Sequence, residues 1–301
     1  MCGIIGYIGK EKALPIIMDG LRRMEYRGYD SAGIAVLEKG SVFSEKEVGQ
    51  IARLQEKLFD ADTHQGTLGI RHTRWATHGK VTRENAHPHT DCTGRIWLAH
   101  NGIIENYQEL KRGLAELGHI FYSQTDTEVL PHLIEEIEKK HPDKNFPEYV
   151  RRALLRVKGT YGMVVLHASY PDVLVAARNF SPLLLGIGNS EYVIASDSSA
   201  ILTRTDRVIY LDDGELAILT TDTRIIISLE NIGREKETRR IEWLPEEAEK
   251  KDYPHFMLKE IFEEPQAIEN SIRGRIILET GNVKLGGLVQ REETLRDAKH
   301  I

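Results

Sequence analysis

Apolar positions along the chain fall into short runs and one-sided faces that predict strand blocks alternating with helix blocks. The opening segment GIIGYI, residues 3–8, is continuously apolar and punctuated by glycine, the pattern of a strand buried on both faces. Leu14, Ile17, Met18, Leu21 and Met24 then recur at helical spacing and predict a helix over 14–25. Strands are expected over 31–37 and, after a turn at Lys39 and Gly40, through Val48; a helix follows over 51–58. Further strands are expected over 68–75 and 95–100, separated by a long polar stretch, 76–94, rich in His, Asn, Thr and Pro. Helices are predicted over 105–117, from a cap at Thr125 or Asp126 to about 138, and over 146–157. A run of strands completes the pattern, at 161–168, 173–177, 183–187, 192–196, 208–211, 215–220 and 224–228. Hairpin turns are read at 169–172 and 212–214. So many adjacent strands favour antiparallel or mixed sheets with helices layered outside.

Past residue 230 the pattern changes. Residues 233–252 are densely charged and read as an exposed connector, and 257–272 form an amphipathic helix. The expected division is therefore 1–232 and 233–301, the second part being the approach to a further domain. Composition narrows the function classes. With 40 basic and 46 acidic residues the net charge is −6, which offers no electrostatic footprint for nucleic acid or an anionic membrane. No apolar run approaches the roughly 18 residues of a spanning helix, and MCGIIGYIGKEK lacks the basic start of a secretory signal. A cytoplasmic protein that binds neither nucleic acid nor membrane is expected.

Two cysteines, Cys2 and Cys92, are too few for a disulfide scaffold. Cys2 follows the initiator Met1, and a small second residue favours methionine removal, which would put a thiol and a free α-amine on one residue. A frayed terminus is the plainer alternative. An α-amine titrates near 8, against roughly 10.4 for lysine, so it can accept a thiol proton. Phosphate-binding glycine loops are absent, which argues against nucleotide chemistry. Histidines crowd the segment 72–100, and His87 and His89 with Cys92 mimic part of a zinc site. A second close pair is missing, so no metal is expected and Cys92 is read as a bystander. Asn101–Gly102 offers a side-chain amide and an open backbone N–H, the two donor types of an oxyanion hole; alone, it is also an ordinary turn. Arg74 can clamp a carboxylate, Asp126 can meet an ammonium or cap a helix, and Trp75 can cover a small pocket or pack in the core.

Six motifs in order then carry a resemblance. MCGIIGYIG at the terminus, EYRGYDSAGIAV at 25–36, HTRWATHG at 72–79, NAHPH at 85–89, HNGIIENYQELK at 100–111 and SQTDTEV at 123–129 resemble class II glutamine amidotransferases. Trp75-Ala76-Thr77-His78 and Tyr26-Arg27-Gly28-Tyr29-Asp30 are similar to the amino-sugar branch rather than the one feeding a phosphoribosyl acceptor. The resemblance implies an α+β fold, the four-layer αββα sandwich of N-terminal-nucleophile hydrolases, two antiparallel sheets between helical layers. It implies Cys2 as nucleophile with its α-amine as base, Asn101 and Gly102 as oxyanion donors, and Arg27 as an orienting residue. Arg74 would grip the α-carboxylate of L-glutamine and Asp126 its α-ammonium, with Trp75, Thr77 and His78 in the glutamine loop and His87 touching the site. No cofactor is implied. Full-length members of the branch are homodimers that continue into sugar-isomerase domains binding fructose 6-phosphate, and residues 253–275 resemble the segment leading there. Two other readings stand: a glutaminase feeding another acceptor or a separate synthase chain, and a non-catalytic metal or ligand-binding module on the same fold.

Overall fold

A computed structural model of the chain describes residues 2–24, 28, 30–58, 64–76, 79–241, 253–272, 276–277 and 282–283. The chain runs through β1 (Gly3–Ile8), α1 (Ala13–Arg22), β2 (Ser31–Glu38), β3 (Ser41–Val48), α2 (Ile51–Lys57) and β4 (Leu68–Arg74). A long loop leads to β5 (His89–Thr90) and β6 (Ile96–Ile104), followed by α3 (Tyr107–Glu116), α4 (Val129–Lys140) and α5 (Phe146–Leu154). Strands then dominate: β7 (Gly159–His167), β8 (Leu174–Asn179), β9 (Leu184–Ile187), β10 (Tyr192–Ala195), β11 (Arg207–Tyr210), β12 (Glu215–Leu219), β13 (Arg224–Ser228) and β14 (Arg239–Arg240). Two compact units divide at Ala248 and Glu249.

In the first unit the strands form two antiparallel sheets. One is ordered β14-β11-β9-β10-β1-β4-β2-β3 and the other β13-β12-β8-β7-β6-β5. Three apolar clusters show how they stack. Ile4, Ile8 and Ile70 of the larger sheet meet Val164, Leu166 and Ala176 of the smaller one, which places the sheets face to face. The other face of the larger sheet (Ile5, Tyr7, Ile34) packs on Leu14, Ile17 and Leu21 of α1 and Leu54 of α2. The other face of the smaller sheet (Met163, Val165, Val175) packs on α3, α4 and α5 through Leu110, Leu130, Leu133 and Val150. The order is helix, sheet, sheet, helix, the expected αββα sandwich. Because the inner strands are covered on both faces, β1 is buried at every residue, and this is why it reads as an unbroken apolar run without alternation.

Three expectations are corrected. The turn at 212–214 does not close a hairpin: it carries the chain from β11 in the larger sheet to β12 in the smaller, with the Gly214 N–H donating to the Arg178 carbonyl. Local turn chemistry is the same in both cases, so only the strand partners distinguish them. Neither Thr125 nor Asp126 caps a helix, since α4 starts at Val129 and Asp126 bonds elsewhere. The charged segment from 233 is not all connector. Arg239 and Arg240 pair with β11, Ile241 packs on the α1 side of the larger sheet, and the Lys236 ammonium reaches Asp212 and Glu215. Residues 233–241 thus belong to the first unit. The second unit contains α6 (Phe256–Ile272) and a short pair, β15 (Ile276–Ile277) with β16 (Asn282–Val283). Along α6, Met257, Ile261, Phe262, Ile268 and Ile272 are exposed. Among the described residues no helix is long and apolar enough to cross a membrane.

Candidate active site

Antiparallel pairing assembles the site from segments distant in sequence. Gly3 of β1 lies opposite Thr73 of β4, so Cys2, just before β1, meets Arg74 and Trp75 at the end of β4. The Trp75 N–H donates to the Cys2 sulfur at 3.2 Å, and the thiol faces the Trp75 carbonyl at 3.6 Å. Burial pushes the Cys2 thiol up, opposed by the Trp75 N–H and the Arg74 guanidinium. Ser31 of β2 lies opposite Arg74, which brings Asp30 alongside. The Asp30 carboxylate accepts from the Ala76 N–H at 2.7 Å and the Asp30 N–H donates to the Arg74 carbonyl at 3.1 Å, so the strand end is held from both sides.

From the smaller sheet, β6 contributes Asn101 and Gly102. The Asn101 side-chain amide donates to the Cys2 carbonyl at 3.2 Å, and its oxygen accepts from His72 Nε2 at 3.0 Å. That second contact fixes which way the amide points. Gly102 has φ +134°, and a Cβ there would stand 2.1 Å from the Thr160 carbonyl oxygen, so no other residue fits this bend in β6. Two residues on, the Ile104 N–H donates to Asp126 at 2.7 Å, which locks that buried carboxylate beside the strand. Arg74 is also buried, and its guanidinium donates to the carbonyls of Lys80 at 3.1 Å and Gly79 at 3.4 Å.

Beneath these groups lie four buried histidines. His72 stacks on His87 with ring centroids 4.2 Å apart, and His87 Nδ1 accepts from the His100 N–H. His100 donates from Nε2 to the Thr160 carbonyl at 3.2 Å and accepts at Nδ1 from the Thr127 hydroxyl at 2.8 Å. His89 meets the Thr125 hydroxyl at 3.0 Å. Burial pulls His72 down to about 3 and lowers His87, His89 and His100 as well, so all four are neutral near pH 7. They orient and fill rather than exchange protons.

One cavity of about 310 Å³ is lined by Cys2, Arg74, Trp75, His87, Asn101, Gly102 and Asp126, seven of the residues singled out from sequence. Its size sits at the lower end of small-molecule sites, which run from about 300 Å³. Trp75 is 46% exposed at this cavity rather than part of the core. Arg27, Thr77 and His78 lie outside the described residues. Thr127, Thr160, Ser181 and Pro182 also line the cavity and were not foreseen. His72 was legible in principle, since it shares a face with Arg74 two residues on in β4; Ser181 and Pro182 carry no local signal.

A thiol held by a backbone N–H, a side-chain amide at its carbonyl, and a buried guanidinium and carboxylate thus share one cavity. The chain belongs to the glutamine amidotransferases of the N-terminal-nucleophile fold: the family described as "Glutamine amidotransferase domain" matches residues 72–203. Similar curated proteins are the glutamine–fructose-6-phosphate aminotransferases (isomerizing) of Pyrococcus horikoshii, 52% identical over 92% of this chain and 46% of that protein, and of Chlorobaculum tepidum, 46% identical over 100% and 49%. The corresponding Thermus thermophilus protein is 48% identical over 100% of this chain and 48% of its own length. The chain thus spans about half the length of the curated relatives it matches. Among solved structures, glutamine phosphoribosylpyrophosphate amidotransferase from B. subtilis, complexed with ADP and GMP, superposes with a TM-score of 0.61 at 28% identity. The match covers 79% of this chain and 49% of that one.

Proposed function

We propose that this chain is the glutaminase part of a glutamine–fructose-6-phosphate aminotransferase, releasing from L-glutamine the ammonia used to aminate fructose 6-phosphate. The observation that carries the reading is the Cys2 sulfur set against the Trp75 N–H in the cavity that also contains Asn101, Arg74 and Asp126. In the proposed reaction, Met1 is removed and the freed α-amine takes the Cys2 thiol proton. The thiolate attacks the glutamine carboxamide carbon. Asn101 has two amide hydrogens; one is used on the Cys2 carbonyl, leaving the other, with the Gly102 N–H, for the oxyanion. Collapse expels ammonia, which carries off the proton held by the α-ammonium, and leaves a γ-glutamyl thioester. Water, deprotonated by the same amine, then releases glutamate and restores the thiol. Arg74 clamps the α-carboxylate and Asp126 the α-ammonium, while Trp75, Thr77, His78 and His87 complete the pocket and Arg27 orients the nucleophile.

The sugar half of the reaction belongs to domains following 253–272, and the apolar stripe exposed along α6 supports that continuation. Dimeric assembly and a cytoplasmic location are part of the same proposal. Reaction with 6-diazo-5-oxo-norleucine tests the glutaminase reading: mass spectrometry should locate one adduct on Cys2 of the processed chain, abolished by excess glutamine. A processed chain that stays unlabelled overturns it.

A further inference from the structure

A second cluster of ligand-bearing side chains lies outside the glutamine cavity. Cys92 sits at the surface in the turn between β5 and β6, His119 follows α3, and His132 and Glu135 stand three residues apart on α4. Their ligand atoms all lie within 4.8 Å of one another. The Cys92 sulfur is 3.6 Å from His119 Nδ1 and 3.4 Å from His132 Nδ1, and the two Nδ1 atoms are 3.2 Å apart. Glu135 Oε2 stands 3.3 Å from His119 Nδ1 and 3.7 Å from His132 Nδ1. Four ligands around a tetrahedral zinc, with bonds of about 2.0–2.3 Å, are spaced by about 3.3–3.7 Å, and the five separations here run from 3.2 to 3.7 Å.

Proton placement points the same way. His119 donates from Nε2 to Glu136 at 3.3 Å, and His132 Nε2 faces Glu128 at 4.0 Å. Each neutral ring that carries its proton on Nε2 turns an Nδ1 lone pair inward, so two lone pairs, a carboxylate oxygen and a sulfur converge on one point. Two donors offset part of the repulsion in this convergence, the Cys92 N–H, which gives a hydrogen bond to Glu135 Oε2 at 3.0 Å, and the Cys92 thiol. A cation at the centre would satisfy all four ligand atoms together. The Glu136 carboxylate behind His119 is the usual outer support of a zinc-bound histidine, whereas Glu128 lies beyond hydrogen-bond reach of His132 Nε2. Lys139 and Lys140 hold the outward oxygens of Glu135 and Glu136 at 2.7 and 2.8 Å.

We propose that Cys92, His119, His132 and Glu135 form a structural zinc site. Four protein ligands close the coordination shell and leave no position for substrate. The mixed sulfur, imidazole and carboxylate set suits zinc rather than magnesium or calcium. Binding replaces the Cys92 thiol proton, which goes to solvent, by a sulfur–metal bond. The metal ties the β5–β6 turn and the segment after α3 to α4, whose preceding residues Asp126 and Thr127 line the glutamine cavity. It therefore braces the catalytic cavity from outside, and the sequence spacing, with 26 residues between Cys92 and His119 and 12 between the histidines, hides it.

The chain has two cysteines, so a Cys2→Ala background leaves Cys92 as its sole thiol. In that background, protein exposed to zinc and then desalted should retain about one equivalent by elemental analysis. Cobalt(II) should give a thiolate charge-transfer band and the intense visible bands of tetrahedral coordination. Cys92→Ser and His119→Asn, checked for folding by circular dichroism, should each lose the metal and the bands. The cobalt spectrum of the unmodified site decides the matter even where a variant fails to fold. A spectrum without a thiolate band, or undiminished zinc in folded Cys92→Ser, overturns the proposal.

Discussion

The first unit holds two groups of buried histidines whose neighbours differ in kind. Around the Cys2 cavity, His72, His87, His89 and His100 meet one another, threonine hydroxyls, a backbone carbonyl and an asparagine amide. No carboxylate hydrogen-bonds them among the described residues, and burial holds them neutral. At the Cys92 cluster, His119 and His132 are surrounded by Glu128, Glu135, Glu136 and a thiol. One set packs as uncharged wedges, with His72 fixing the Asn101 amide; the other turns its Nδ1 atoms toward a shared point. Residue type alone therefore says little about a buried histidine. What faces each ring nitrogen decides whether it positions, or binds a cation.

Substitutions test this contrast, and their expected effects on glutamate release descend in order. Cys2→Ala should reduce it to background, because no other thiol lines the cavity; measurable steady turnover would remove the thiol from the mechanism. Asn101→Ala should lower kcat by about 10²–10³, the cost of an oxyanion donor. Arg74→Ala should raise KM for glutamine by about 10–100-fold, and leave a carboxylate-free amide much less affected. His72→Gln should lower kcat by about tenfold with little change in KM, as expected for a group acting through the Asn101 amide. Cys92→Ser or chelation should leave kcat near its original value while lowering the melting temperature by about 5–10 °C. A Cys92→Ser enzyme that loses turnover but not stability would merge the two histidine groups into one function.

Acid separates them further. His72 is neutral in the folded chain down to about pH 3, whereas in the unfolded chain it protonates near 6.5. Below 6.5 the unfolded state therefore binds more protons, and the stabilisation falls progressively with pH toward 3. Thermal melts between about pH 7.5 and 4.5 should fall more steeply for the original chain than for His72→Gln. Equal slopes would mean that His72 is not held neutral.

Several features were legible from local pattern. Apolar runs marked the strands, the i, i+3, i+4 face marked α1, and six motifs placed Cys2, Arg74, Asn101, Gly102 and Asp126 in one site. Each of those inferences rests on residues close together in the chain, or on a motif that travels as a block. The corrections came from elsewhere. Whether Asp212–Gly214 closes a hairpin depends on which sheet β12 joins, and Asp126 prefers the Ile104 N–H to a helix terminus because β6 passes beside it.

One-dimensional signals, periodicity and short motifs, thus determined the alternation of elements, their apolar faces and the motif residues that share one cavity with Cys2. Tertiary structure alone decided the strand order that sets Thr73 against Gly3, and hence Trp75 against Cys2. It alone brought His119 and His132 to Cys92, because distances between ring nitrogens and sulfur depend on how α4 packs against the turn after β5, and no spacing along the chain encodes that packing.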